Sequence, residues 1–307
     1  MCSFFQQLTF FTVSTLGIAI DAMKVLKFGG TSVGSCRALE HVRDIVMSQK
    51  NPVIVVVSAL GGMTDRLVEL SQVDCMSPRI SYTINSFRDR FESLISSLIG
   101  MCEQSDVMSE INALLKELED TLHNAVYGLN FQDLIVSYGE RLSSVFISRL
   151  FASRNVRLMS AFDLIYTTAD RRSIDKDKSF RKIQESFKDN SEIDIYVIPG
   201  FVARAVDGSV TNLGRGGSDL TAAVIARALN VSNIEIWTDV NGYMTADPRH
   251  DKNAVLIPSL SYEKALKMSS EGAKVVYAPA VDILIDLRIP LHIRNTFDPD
   301  GRFTSVY

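Results

Sequence analysis

Twice near its start, the chain runs from an apolar strand pattern through a glycine pair into a helical pattern. The first unit begins with KVLKF (24–28), and the second begins with PVIVVV (52–57). The β-branched run at 52–57 has no polar face, which is typical of a strand buried on both sides of a parallel sheet. Because strands and helices keep alternating along the chain, the sequence predicts an α/β fold with a largely parallel sheet.

The rest of the chain continues this alternation around one helical insertion. Apolar stripes predict an antiparallel helical pair between about 80 and 127, and a long helix through 136–150. Further strands are predicted at 156–160, 193–201, 233–240 and 289–295. A hairpin is expected over 203–213, because Asp207-Gly208 is a favoured type I′ turn pair. Helices are expected to begin at Ser218, Tyr262 and Ala273.

No linker rich in Pro, Gly or Ser divides the chain, which favours one domain of two different halves, about 23–200 and 201–307. Residues 1–22 are interpreted as a dispensable extension, because Met23 directly precedes the first strand. Their apolar stretch at 8–20 is too short to span a bilayer, and no Lys or Arg precedes it. We therefore expect neither a signal peptide nor a membrane partner.

Charge and cysteine usage narrow the classes of partner. The 32 basic residues are balanced by 36 acidic ones, and this net charge of −4 gives no electrostatic reason to expect a nucleic acid. A small-molecule ligand agrees better with this charge balance than a nucleic acid does. The four cysteines and four histidines fall in no CxxC or HExxH spacing. We expect reduced thiols, a cytoplasmic setting and no metal-ligand residues.

Four loops that follow predicted strands carry unusual chemistry. They contain the sequences FGGTS (28–32), SALGG (58–62), LGRGGSD (213–219) and TDVNG (238–242). In parallel sheets such loops meet at the carboxyl edge, where ligands bind. Paired glycines let backbone amides approach an anion, so the set favours phosphate, although any one loop alone is more often a tight turn. The chain has neither GxxxxGK[ST] nor GxGxxG, so a P-loop and a dinucleotide fingerprint are unsupported.

Four charged residues near these loops each allow two interpretations. Lys27 ends an apolar strand, where it either meets an anion or is an edge lysine that reaches solvent. Arg215 carries a planar fork suited to carboxylate or phosphate. Asp219 either acts in the site or only stabilises a helix start. Glu140 either serves a ligand or forms an ordinary salt bridge with Arg141 or Arg43.

Seven motifs, in this order, resemble the catalytic domain of aspartate kinases. They are KFGGTSVG, VSALGGMT, SYGERLS, GFVAR, NLGRGGSD, IWTDVNGYMTADPR and EGAKVV, and the resemblance covers residues 24 to about 305. It implies the amino acid kinase fold, a three-layer α-β-α sandwich around a mainly parallel eight-stranded sheet. It also implies ATP and Mg²⁺ as cofactors, and transfer of the γ-phosphoryl group to the β-carboxylate of L-aspartate. That reaction opens lysine, diaminopimelate, threonine and methionine biosynthesis.

The resemblance also implies roles for individual residues. Lys27 and Asp219 are the predicted catalytic pair, in which Asp219 orients Lys27 and the metal-bound phosphate. The triphosphate is expected at Lys27, Gly29, Gly30 and Ser32. The rest of the nucleotide is expected at Thr238, Asp239, Tyr243, Met244, Arg249 and Lys274. For aspartate, Arg215 holds the α-carboxylate, Glu140 the α-ammonium, and the side chain is surrounded by Ser58, Thr64, Phe201 and Ser218.

Some features depart from the family pattern. Tyr138 and Tyr277 stand where the family usually has His, and Met244 stands where an aromatic is usual. Aspartate kinases typically continue into two ACT regulatory modules, and no such region is expected in this chain. We therefore expect no inhibition by lysine or threonine, and the resemblance allows a homodimer. The alternatives are another amino acid kinase, such as a glutamate 5-kinase or acetylglutamate kinase, and a catalytically silent amino-acid-binding subunit.

Overall fold

A computed structural model describes residues 23–50, 52–124, 128, 130–188, 192–246, 250–273 and 275–307. The extension at 1–22 lies outside the described residues. The strands are β1 (Lys24–Phe28), β2 (Val53–Val57), β3 (Val156–Leu158), β4 (Ile195–Pro199), β5 (Val202–Arg204), β6 (Val210–Asn212), β7 (Asn233–Thr238), β8 (Ser259–Leu260), β9 (Leu291–Asn295) and β10 (Thr304–Val306).

The helices are α1 (Cys36–Met47), α2 (Met63–Leu70), α3 (Arg79–Leu98), α4 (Met101–His123), α5 (Phe131–Arg149), α6 (Lys176–Ser186), α7 (Gly217–Leu229), α8 (Tyr262–Ser270) and α9 (Ala278–Ile285). A short 3₁₀ helix occupies Ala161–Asp163. The predicted helical pair is thus present as α3 and α4. Helix α5 begins at Phe131, earlier than the sequence predicts, and α9 begins later, with a proline in its first turn.

Eight strands form one sheet in the order β3-β4-β2-β1-β7-β9-β10-β8, while β5 and β6 form a separate hairpin. Every neighbouring pair in the large sheet is parallel except β9 with β10. Phe28 is in register with both Val57 and Trp237, and Val57 is in register with Pro199. The carboxyl ends of the central strands therefore lie level, and the loops that follow them share one edge.

Alternating side chains of the sheet enter two separate cores. Leu26, Phe28 and Val55 face a core shared with α1 to α5. Val25 and Ile54 face a second core shared with α6 to α9. Because a strand side chain points to the opposite face from its neighbour, a strand without polar positions buries both faces. The result is a three-layer α-β-α sandwich, which confirms the predicted fold class.

The hairpin is present, but its predicted type I′ turn is wrong. A type I′ turn needs positive φ at both central residues, whereas Gly208 has φ of 82° and Asp207 is not among the residues with positive φ. The Gly208 amide donates to Ala205 O at 2.9 Å, and the Asp207 carboxylate accepts from the Ser209 amide at 3.0 Å. This is a longer connection in which a single left-handed glycine follows the turn.

Two further findings concern the chain outside the sheet. Among the described residues, no helix is both long and apolar enough to pass through a lipid bilayer. Cys36, Cys75 and Cys102 are free thiols, and Cys2 lies outside the described residues.

Candidate active site

A cavity of about 680 Å³ lies at the carboxyl edge of β1 and β2. The loops after β1, β2, β4 and β6, the first turn of α7 and one residue of α5 surround it. Of the residues predicted for the site, it is lined by Lys27, Gly30, Ser58, Thr64, Glu140, Phe201, Arg215, Ser218 and Asp219. The chain thus brings together the phosphate-type loops and both predicted amino-acid-binding charges.

The loop after β1 presents unpaired backbone amides. Gly29 N donates to Trp237 O at 3.2 Å, whereas the amides of Gly30, Thr31 and Ser32 donate to no group in the described part of the chain. The Ser32 side chain, predicted at the triphosphate, is instead fully buried, 2.7 Å from the Thr296 hydroxyl and 3.2 Å from Trp237 O. Its hydroxyl therefore anchors the loop, and Ser32 itself does not line the cavity.

The loop after β2 lies directly against the first loop. The amides of Leu60, Gly61 and Gly62 also have no acceptor among the described residues. A Cβ atom on Gly61 would lie 3.1 Å from Gly30 O, and one on Gly30 would lie 3.4 Å from Ala59 O. The close approach of the two backbones accounts for the glycines at both positions.

The third loop leads into α7. Gly216 has φ of 72°, and a Cβ atom there would overlap the Tyr277 ring. The amides of Ser218 and Asp219, in the first turn of the helix, lack acceptors in the described residues. Such amides at a helix N-terminus attract anions. All three loops therefore contribute cavity-lining residues whose amides have no acceptor in the described part of the chain, and such amides suit phosphate oxygens.

Lys27 and Asp219 form a buried ion pair at the floor of the cavity. Lys27 Nζ lies 2.6 Å from Asp219 Oδ1, and the residues are 9% and 8% exposed. Asp219 Oδ2 also accepts from the Tyr277 amide at 3.3 Å. Because β1 is a central strand, Lys27 is not an edge lysine reaching solvent. The pair fixes the Lys27 ammonium in the wall of the cavity, beside residues with free amides.

Glu140 is a buried carboxyl with one oxygen left open. Oε1 accepts from Ala59 N at 3.2 Å, while the buried Oε2 has no hydrogen-bond partner among the described residues. Burial raises the pKa of Glu140 to about 8, opposed by the Ala59 amide and by Lys27. Neither proposed salt bridge forms, because Arg141 pairs with Glu117 and Arg43 lies beside Asp44.

The helix that carries Glu140 approaches β2 closely because it has no side chain at Gly139. A Cβ atom there would lie 2.9 Å from the Ala59 Cβ. One turn later, the Ser143 hydroxyl donates to Ser58 O at 2.7 Å. The close approach at Gly139 and this hydrogen bond place Glu140 next to the loop after β2.

Arg215 and Phe201 occupy the open side of the cavity. Arg215 is exposed and pairs with no acid in the described residues. Phe201 has φ of 67°, although it is not glycine, and its amide donates to the Thr221 hydroxyl at 3.1 Å. A left-handed conformation costs a non-glycine residue about 1 kcal/mol or more, so the surrounding contacts hold Phe201 in it.

Of the predicted nucleotide residues beyond the triphosphate, the four that the structure describes do not line this cavity. Thr238 and Asp239 lie at the end of β7, next to β1, where the Thr238 hydroxyl donates to Asp239 Oδ1 at 3.1 Å. The Tyr243 ring is fully buried, with its hydroxyl 2.6 Å from that of Ser269, and Met244 pairs with Leu256. The Tyr243 ring is thus in the core, not on a surface where adenine could stack. Arg249 and Lys274 lie outside the described residues.

Sequence reasoning missed Asn212, which lines the cavity just before the third loop. Its amide group donates to Asp133 Oδ1 at 2.6 Å, and its Oδ1 accepts from Gly214 N at 2.9 Å. Asn212 therefore ties the loop of Arg215 to α5, the helix that carries Glu140. Its position directly before the glycine loop LGRGGSD could have indicated that Asn212 lies at the site.

The chain matches the model of the amino acid kinase family over residues 22–295. It is 31% identical to a bifunctional aspartokinase/homoserine dehydrogenase of Buchnera aphidicola, over 89% of this chain and 35% of that protein. It is 30% identical to lysine-sensitive aspartokinase 3 of Escherichia coli, over 92% of this chain and 63% of that protein.

A solved structure of E. coli aspartokinase III, in complex with aspartate and ADP, superimposes with a TM-score of 0.84 at 28% identity. It covers 92% of this chain and 64% of its own. The chain thus spans between one third and just under two thirds of the length of these relatives. The family match extends over almost the whole described region, with the cavity loops inside it, and this chain belongs to the amino acid kinase family.

Proposed function

We propose that this chain transfers the γ-phosphoryl group of ATP to the β-carboxylate of L-aspartate, giving 4-phospho-L-aspartate and ADP. One observation carries the proposal. Glu140, a buried carboxyl, and Arg215, a guanidinium, line the same cavity as the amide-bearing loops. Within the described part of the chain, one Glu140 oxygen has no hydrogen-bond partner and Arg215 pairs with no acid. The similar E. coli protein, whose structure was solved with aspartate and ADP, supports the same pair of ligands.

The two charges suit a free α-amino acid. A zwitterion carries one ammonium and one carboxylate, which need an anion and a cation held apart. In the proposal, Glu140 receives the α-ammonium, and Arg215 receives the α-carboxylate through its planar fork. An N-acetylated amino acid has no ammonium for Glu140, so it is disfavoured as a substrate. Ser58, Thr64, Phe201 and Ser218 are proposed to surround the acceptor side chain.

The cavity floor is proposed to bind the triphosphate group of a nucleotide. Unpaired amides from three loops, together with Lys27, supply the donors that phosphate oxygens require. Thr238 and Asp239 are proposed for the base and ribose side, with Arg249 and Lys274 as further cations. Mg²⁺ usually binds proteins through one or two carboxylates plus substrate phosphates. Asp219 is a buried carboxylate that lines the cavity and would hold Mg²⁺, which would neutralise phosphate charge there.

The reaction needs positioning more than proton transfer. A free aspartate side chain has a pKa of about 3.9, so the acceptor is already ionised and no general base is required. Two anions must instead be brought into contact. Lys27 and the free amides are proposed to offset their repulsion, and Asp219 to hold Lys27 in place. A catalytically silent subunit would not need this buried pair.

ATP-dependent hydroxamate formation tests the proposal. The chain is incubated with ATP, Mg²⁺ and hydroxylamine, and L-aspartate, L-glutamate and N-acetyl-L-glutamate are compared as acceptors. We expect hydroxamate with aspartate at a rate at least about tenfold above the other two. A preference for glutamate would identify a glutamate-kinase-like enzyme, and no product with any acceptor would favour the silent subunit.

The setting of the reaction is also proposed. Free thiols at three described cysteines and the balanced charge favour the cytoplasm, with neither nucleic acid nor membrane as a partner. The product would enter lysine, diaminopimelate, threonine and methionine synthesis. A homodimer is proposed and is measured by light scattering of the purified chain.

A further inference from the structure

One arginine of the helical pair contacts both glycine loops from behind. Arg90 lies on α3, a segment in which the sequence shows no catalytic pattern. Its Nη1 donates to Gly61 O at 2.9 Å, and its Nη2 donates to Gly34 O at 2.9 Å. Gly34 closes the loop after β1, and Gly61 is in the loop after β2. The guanidinium therefore bridges two loops that no other described side chain joins in this way.

The contact determines which way the loop peptides face. In a trans peptide the carbonyl and the following amide point in opposite directions. With Gly61 O turned toward Arg90, the amide of Gly62 is turned away from α3, and Gly62 lines the cavity. That amide is one of the unpaired donors described above. Arg90 thus favours the loop conformation that presents an amide to a ligand.

The fork geometry also sets the distance between the loops. The two Nη atoms of a guanidinium are rigidly spaced, so a pair of short hydrogen bonds fixes the separation of the two carbonyls. Gly30 and Gly61 already approach so closely that a Cβ atom on Gly61 would lie 3.1 Å from Gly30 O. A lysine could satisfy only a point contact there, since its ammonium has no planar fork.

We propose that Arg90 is a positioning residue that holds the two phosphate-binding loops in register without touching the nucleotide. The inference rests on the proposed function for its kinetic consequence, but nucleotide affinity tests it independently. Arg88 provides a matched control. It lies on the same helix and is half-buried, but it donates to Asn85 and Asn112 and contacts neither loop.

The experiment compares Arg90→Ala, Arg90→Lys and Arg88→Ala with the parent chain. ADP affinity is measured by titration calorimetry, kinetics by the hydroxamate assay, and stability by thermal unfolding. We expect Arg90→Ala to weaken ADP binding and lower kcat/KM for ATP by about tenfold to a hundredfold, because displaced donors lose much of their effect. Arg90→Lys should lose less of the ADP affinity and of kcat/KM than Arg90→Ala. Arg88→Ala should match the parent in both quantities within about twofold.

A second readout separates positioning from general support of the fold. Guanidinium chloride at tens of millimolar should restore part of the ADP affinity of Arg90→Ala and leave Arg88→Ala unchanged. Parent-like ADP affinity in both Arg90 variants would overturn the proposal, and so would a loss in Arg88→Ala as large as in Arg90→Ala. If Arg90→Ala does not fold, Arg90→Lys decides by the same criteria. A parent that binds ADP but makes no aspartyl hydroxamate would refute the proposed function and leave the ADP comparison intact.

Discussion

Replacing Glu140 with glutamine should stabilise the protein at neutral pH while destroying amino acid recognition. The carboxyl is 4% exposed, and only one of its oxygens has a partner. Glutamine keeps an oxygen that can accept from the Ala59 amide, but it cannot ionise. The substitution therefore removes the cost of keeping this carboxyl protonated, or of burying its charge, with little change of shape.

The sign and size of this stability change follow from the raised pKa of Glu140, which is about 8 in the folded chain against an ordinary 4.5. Between these values the folded protein keeps a proton that the unfolded chain has released. The contribution of Glu140 to the free energy of unfolding is therefore greatest below pH 4.5, and it is lost as the pH rises to 8. The whole loss is about 5 kcal/mol, of which about 3 to 4 kcal/mol has occurred by pH 7.

Urea unfolding at pH 5, 6, 7 and 8 measures this directly. The free energy of unfolding of Glu140→Gln should exceed that of the parent by under about 1 kcal/mol at pH 5 and by about 4 kcal/mol at pH 8. Glu40→Gln, at an exposed site on α1, serves as a control whose difference should stay near zero. Parallel pH profiles for Glu140→Gln and the parent would show that this carboxyl is ordinary, and the argument would fail.

The same ionisation should appear in ligand binding. The ammonium of an amino acid needs Glu140 as an anion, so binding at pH 7 must displace a proton from it. We expect the KM for aspartate to fall as pH rises toward 8. Calorimetry in buffers of different ionisation enthalpy should show proton release, and Glu140→Gln should show neither effect.

Three further predictions follow from the site. Lys27→Ala should lower kcat about a hundredfold or more and change the aspartate KM little, as measured by the hydroxamate assay. Gly216→Ala should cost several kcal/mol in urea unfolding, because its left-handed backbone also leaves no space for a Cβ atom, whereas Gly208→Ala, left-handed but open, should cost about 1 kcal/mol. Asn212→Ala should raise the aspartate KM about tenfold with kcat unchanged, because the loop of Arg215 loses its tie to α5.

The fold was largely predictable because its main signals are local. The all-apolar run at 52–57 predicts a buried parallel strand, and in a parallel sheet the loops that follow the strands share one edge. The structure confirms this, since the central strands end level. Strands β8 and β10 escaped prediction because they have two and three residues, too few for any periodicity. They exist because β9 offers β10 an antiparallel partner and β10 in turn pairs with β8.

Part of the lining of the cavity was predictable from residue type and from the family resemblance, whereas the roles of these residues stay predictions. Lys27, Glu140 and Arg215 line the cavity, as their charges and neighbouring glycines indicate. Spacing alone could not decide between a ligand role and a salt bridge for Glu140. The outcome depends on Glu117, which is distant in sequence. Both of its carboxylate oxygens accept hydrogen bonds from Arg141, so Arg141 pairs with Glu117 and not with Glu140.

The helical pair between β2 and α5 supports the cavity from behind. Arg90 of α3 joins the two glycine loops, and Glu117 of α4 accepts from Tyr138 at 2.9 Å as well as from Arg141. Tyr138 and Arg141 flank Glu140 on α5, so Glu117 restrains the helix at the point where it delivers its carboxyl. Because one support comes from α3 and the other from α4, a shift of α3 against α4 would change the position of the glycine loops relative to Glu140. The helical pair, in which the sequence shows no catalytic pattern, therefore supports the residues that line the cavity.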